Sequence, residues 1–145
     1  MEMQFANATN VAQSDTERQL REQLDHAVTD FRNLQKEVNV NSRKRLQATQ
    51  QLHENEMVQN ELALVDQDDD ETGVYKLVGP CLVKQDIAEA RANVAKRLEF
   101  IQNEVSRSDA AIASAEQKMM AAEGEITKLQ QRVAKAKQIA AAAAQ

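Results

Sequence analysis

The sequence predicts a mainly α protein, a long antiparallel two-helix coiled coil with one β-hairpin at the connecting end. Three observations carry this. Apolar residues recur in alternating steps of four and three along both flanks, a spacing that keeps one seam turned toward a partner helix. Between the flanks, residues 74–84 read Val-Tyr-Lys-Leu-Val-Gly-Pro-Cys-Leu-Val-Lys, two short strands around a Gly-Pro turn. The chain also has only 3% aromatic residues, no Trp, three Gly and one Pro, a profile of long helices rather than of a thick globular core.

The whole chain, 1–145, reads as one unit with its elements in simple order. Residues 1–13 mix Asn, Thr and Gln with scattered apolar residues and are expected to fray. Ser14 followed by Glu17 has the form of a capping box, which opens a first helix over 14–65. Its seam runs Leu20, Leu24, Ala27, Phe31, Leu34 and Val38, then turns largely polar through Asn41, Arg45, Ala48, Leu52, Asn55 and Gln59 before Leu62. Residues 66–73 form an acidic loop: Asp66, Asp68, Asp69, Asp70 and Glu71 oppose the negative end of the helix dipole, and Thr72-Gly73 make a turn. The hairpin follows over 74–84. Asp86 with Glu89 repeats the capping spacing, starting a second helix over 86–140, and 141–145 form a tail. The second seam reads Ile87, Ala90, Val94, Leu98, Ile101, Val105, Ser108, Ile112, Ala115, Met119, Ala122, Ile126, Leu129, Val133, Ala136 and Ala140. Its consecutive steps of four at 90–94–98 make a stutter, which locally unwinds a supercoil. The short connection makes the helices antiparallel, with Leu20 level with Val133, Leu24 with Leu129 and Leu52 with Ile101.

Several functions are excluded on composition. Net charge is −5 with the two signs interspersed, so no basic stripe serves nucleic acid. No apolar run reaches the ~18 residues a bilayer span needs. The first residues lack the basic and apolar regions of a signal peptide, and a single cysteine suits a reducing, cytoplasmic location. The Asn7-Ala8-Thr9 sequon then has no glycosylation role. A calcium loop starting at Asp66 would need Gly sixth and Glu twelfth but finds Glu71 and Leu77. His26 and His53 have no second ligand type around them. Nucleophile elbows and phosphate-cradling loops are missing from the sequence, so no enzyme, metal or cofactor is expected.

Glu54-Asn55-Glu56-Met57-Val58-Gln59-Asn60-Glu61-Leu62-Ala63-Leu64-Val65, the hairpin string through Asp86, and then Glu89-Ala90-Arg91-Ala92-Asn93-Val94 and Lys96-Arg97-Leu98-Glu99-Phe100-Ile101 together resemble the β-type subunits of prefoldin. The specific match covers residues 52–105; the outer helices resemble the family in periodicity alone. The resemblance implies a hetero-hexamer of α-type and β-type subunits whose hairpins close into an inter-subunit β-barrel platform. It also implies coiled-coil arms whose far ends hold unfolded client proteins, without nucleotide, for delivery of actin and tubulin chains to the cytosolic group II chaperonin. The sequence departs from the family in two places: a longer acidic loop at 66–72, and Cys81 where an aliphatic residue is common.

An isolated two-stranded hairpin is marginal in water, so Val74, Tyr75, Leu77, Val78, Cys81, Leu82 and Val83 are expected to meet neighbouring subunits, Cys81 as a small buried hydrophobe. Val74, Lys76 and Val78 share one face, Tyr75 and Leu77 the other. Met3, Phe5 and Val11 before the first helix, with Val133 and Ile139 near the other end, are the expected client-binding residues. Met119 and Met120 offer further soft contacts, although Met119 also fits the seam, and Phe31 and Phe100 are expected in or near the core. The competing reading is a structural coiled-coil tether or assembly scaffold without client binding, for which the hairpin insert would serve no purpose.

Overall fold

The computed structural model describes residues 2–69 and 71–144, without the side chains of residues 2, 4–7 and 10. Four elements follow one another: α1 (Glu2–Leu64), β1 (Val74–Val78), β2 (Cys81–Gln85) and α2 (Ile87–Ala143). They divide between two compact units. One is Val40–Ala111; the other joins Met1–Asn39 with Ile112–Gln145.

Helix α1 does not start at Ser14. The segment expected to fray is helical from Glu2, and the Ser14 hydroxyl donates back to the carbonyl of Val11 at 2.9 Å. The capping-box pattern therefore lies inside a continuous helix. Residues 2–13 contain no Gly or Pro to stop it, and a helical Ser or Thr can satisfy its hydroxyl on a carbonyl one turn back. Thr16 does the same to Ala12. At the other end α2 runs through Ala143, so most of the expected tail is helix as well, as its alanine run favours.

In the unit Val40–Ala111 the helices are antiparallel. Arg45 of α1 pairs with Asp109 of α2, whereas Arg91, near the start of α2, reaches the carbonyl of Leu62 near the end of α1. Both links lie within a residue of the predicted register. The core is Leu62, Ala90, Val94 and Leu98, with Leu52 and Val74 packed against it. Ala48, Ile101 and Ser108 are also buried. The steps of four at 90–94–98 thus stay in the seam, as a stutter requires. Ser108 is a polar member of that seam, and among the described residues no buried side-chain nitrogen or oxygen lacks a hydrogen-bond partner.

In the second unit Leu20, Ala115 and Leu129 are buried. Leu24, Ala27, Phe31, Leu34 and Val38 of α1, with Ile112, Met119, Ala122, Ile126 and Val133 of α2, are half-buried. That is the predicted seam. Ala115, 1% exposed, is the most enclosed apolar residue described. Such a seam of small and branched residues suits two helices that shield each other on one side only.

Candidate functional site: the hairpin and its anchoring

The hairpin is held at its base by the ends of both helices. Helix α1 has no basic residue in its last turn, so its terminal carbonyls lack donors and its negative dipole end lacks a cation. Arg91 supplies both from α2. Its Nε and Nη2 donate to the Leu62 carbonyl at 3.1 and 2.9 Å, and Nη2 also donates to the Val65 carbonyl at 2.8 Å. Asp86 caps α2: its carboxylate accepts the Ala88 amide at 3.3 Å and its carbonyl accepts the Ala90 amide at 2.9 Å. Between the two caps, Asp66 accepts the Asp68 amide and Asp69 accepts the Glu71 amide, local turns that fold the acidic loop on itself. Asp70 lies outside the described residues.

The strands pair antiparallel, Val74 with Gln85, Tyr75 with Lys84, Lys76 with Val83, Leu77 with Leu82 and Val78 with Cys81. Gly79 and Pro80 alone make the turn. Gly79 has φ +59° and Pro80 is confined near −65°, the requirement of a two-residue type II′ connection with Gly first. Directly paired residues share a face. One face therefore carries Tyr75, Leu77, Leu82 and Lys84, and the other Val74, Lys76, Val78, Cys81, Val83 and Gln85.

Of the expected interface residues, Val74 alone turns inward and packs on the chain's own helix core. It anchors the hairpin and is half-buried without any neighbour. Tyr75, Leu77, Val78, Leu82 and Val83 are exposed, Leu77 and Leu82 at 69% each. Cys81 is exposed too, so within one chain it is not the buried hydrophobe expected. The described residues contain no third strand.

Met3, Val11 and Ile139 are exposed, and Val133 is half-buried in the seam. The backbone of Phe5 belongs to α1, but its side chain lies outside the described residues. Met120 is exposed and Met119 half-buried. Phe100, expected in or near the core, is 64% exposed, because it follows the seam residue Leu98 by two positions and so points away from it. Two further features escaped sequence reasoning: the Arg91 clamp, and the exposed Met57, Val58 and Leu64 near the end of α1. Arg91 left a trace, a cation in the first turns of its own helix, where the dipole disfavours it.

Among the described residues no His, Cys, Asp or Glu cluster could hold a metal ion, and no helix is long and apolar enough to cross a membrane. Two long helices joined through a two-stranded antiparallel hairpin define the fold class. Residues 25–133 match the family model described as a prefoldin subunit, and the chain belongs to the prefoldin family. It is 45% identical over 120 residues to prefoldin subunit 6 of Arabidopsis thaliana, covering 83% of this chain and 91% of that protein. To prefoldin subunit 6 of Homo sapiens it is 36% identical over 112 residues, 77% and 84% of the two chains. The chain is thus subunit-6-like. The crystal structure of the prefoldin beta subunit from Thermococcus strain KS-1 shares its fold, with a TM-score of 0.66, 17% identity, and coverage of 73% of this chain and 90% of that one. Membership carries a non-enzymatic chaperone-cofactor role and assembly with other prefoldin subunits.

Proposed function

We propose that this chain is one β-type arm of a hexameric, ATP-independent holdase of the cytosol. It binds non-native proteins of the actin and tubulin class and delivers them to the group II chaperonin. The observation that carries the reading is the hairpin, whose two faces expose Tyr75, Leu77, Val78, Leu82 and Val83 in a sheet of only two strands. Apolar strand surface of this kind is stabilised by closure with other strands, and hairpins from neighbouring subunits closing into a β-barrel would supply them. Cys81 would then be covered along with Val78, its cross-strand partner.

Client contact falls to the unit that contains both chain ends. Met3, Phe5 and Val11 on α1, with Val133 and Ile139 on α2, are its contact residues. Each would bind weakly, and several arms acting together raise the effective concentration enough for a useful grip. Exposed Met3 and Ile139 support this, since apolar side chains on adaptable stems suit varied partners.

The test is reconstitution. The purified chain is mixed with α-type and β-type partners, its mass is measured, and aggregation of a denatured protein is followed without nucleotide. A hexamer that suppresses aggregation is expected. Removal of residues 1–13 and 134–145 should weaken suppression and leave the mass of the core assembly intact. A stable homodimer without effect on aggregation would instead make the chain a tether.

A further inference from the structure

We infer that α2 carries, next to Ile139, a row of cations that receives acidic stretches of an unfolded client chain. The inference rests on the reading of the chain ends as client contacts. It adds the chemistry of the segment bound: carboxylates spaced along an extended backbone, with an apolar side chain close by.

Lys128, Arg132, Lys135 and Ile139 follow one another in steps of four, three and four, so they line one face of α2. All four are exposed, and the seam residues Leu129, Val133 and Ala136 lie on another face. Charges are interspersed over the chain as a whole, yet residues 126–145 hold four Lys or Arg and no Asp or Glu. The helix dipole does not account for these cations, because it acts within the last turn and α2 has no basic residue there. Family membership does not account for them either, since the row crosses residue 133, where the family match ends.

In the register that sets Leu20 level with Val133, the α1 carboxylates beside the row are Asp15, Glu17, Glu22 and Asp25. Asp15 pairs with Arg18 and Glu17 with Arg21, while Glu22 and Asp25 line a hollow of α1 that no residue of α2 enters. Within α2, Lys128 reaches Glu125 at 3.4 Å with both side chains largely exposed, a kind of pair that contributes little. Among the described residues Arg132 and Lys135 form no ion pair. The row therefore keeps its charge for a partner. Lys128 and Lys135 stand about 10 Å apart along the helix axis, a span that about three residues of extended chain cover. Ile139 lies about 6 Å further on. A segment with acids about three residues apart, and an apolar residue about two further along, meets the cations and Ile139 together.

The test uses the hexamer reconstituted from the full chain and its partner subunits, with a photoreactive residue in place of Ala142, the next position along the row. Capture then reports on this arm alone. The probes are an unstructured peptide with glutamate at every third position among leucine and serine, and versions with glutamine or lysine instead. Three exposed charge contacts, each weak, should together let the glutamate peptide reach half-maximal capture at about one tenth the concentration of the glutamine peptide at low salt. The gap should close as salt rises. Lys128→Glu, Arg132→Glu and Lys135→Glu together should erase that preference and transfer it to the lysine peptide, with hexamer mass and helicity unchanged. Equal capture of the glutamate and glutamine peptides would overturn the inference, as would a preference that survives the charge reversal. Charge reversal that leaves peptide capture intact and abolishes binding to the chaperonin would also overturn it, by assigning the row to that partner. The two readings fail separately: capture that ignores charge but falls on Ile139→Ser removes the row alone, whereas no capture of any peptide removes the client contact itself.

Discussion

Replacing Arg91 by Met should loosen the junction between α1 and the hairpin. Methionine keeps most of the apolar stem but removes all three hydrogen bonds to Leu62 and Val65. Bonds from a charged donor are each worth about 1.5–3 kcal/mol where water is excluded. Arg91 is only partly buried, so the freed carbonyls regain water, and the summed loss falls to about 2 kcal/mol, including the cation's interaction with the helix end. That corresponds to an increase of about thirtyfold in the local opening constant. Amide hydrogen exchange across the last two turns of α1 reads it directly. The effect should be confined to that end, because Leu20 and Leu129 lie in the other unit. Arg91→Lys should recover part of the loss, since an ammonium supplies charge but cannot bridge two carbonyls with a planar fork. Exchange in Arg91→Met that matches the unaltered chain would refute the clamp.

Other perturbations test the rest of the structure. Gly124→Ala should stabilise α2 by about 0.5–1 kcal/mol in urea denaturation, because an added Cβ meets nothing within 4 Å. Ala115→Leu should cost about 1–3 kcal/mol through overpacking, given its near-complete burial, and a rise in the denaturation midpoint would contradict the seam. Gly79→Ala forces a side chain into a positive-φ position at a cost of about 1–2 kcal/mol, and should show as weaker assembly with unchanged helicity. The Arg45–Asp109 pair joins two half-exposed side chains; a double-mutant cycle should return a coupling of at most about 1 kcal/mol, falling as salt is raised.

Periodicity made the seam readable. Leu20, Ala115 and Leu129 obey a spacing that water itself enforces, and the same spacing carried the stutter through Ala90, Val94 and Leu98. The hairpin was readable because Gly79-Pro80 specifies a turn and period-two alternation specifies its faces. What escaped depends on partners distant in sequence or on local signals with two meanings. Ser14 and Glu17 spell a cap, but the same residues sit comfortably inside a helix that nothing upstream interrupts. Phe100 is hydrophobic without being buried, so its angle around the helix outweighs its composition. Val74 belongs to the strand pattern, yet its packing against Leu62 and Ala90 also makes it an anchor on the chain's own helices. Arg91 acts on carbonyls 26 and 29 residues earlier in the chain, a distance no local pattern spans.

The Arg91 clamp on the end of α1 has a practical corollary for residues 66–73. Since Arg91 ties that end to α2 and Val74 seats the hairpin on the helix core, the acidic stretch is freed from setting the geometry of what it joins. Doubling a flexible connection costs only about 0.6 kcal/mol in closure entropy. This bend should therefore accept a grafted epitope or fluorophore-bearing peptide without shifting the strands that follow it.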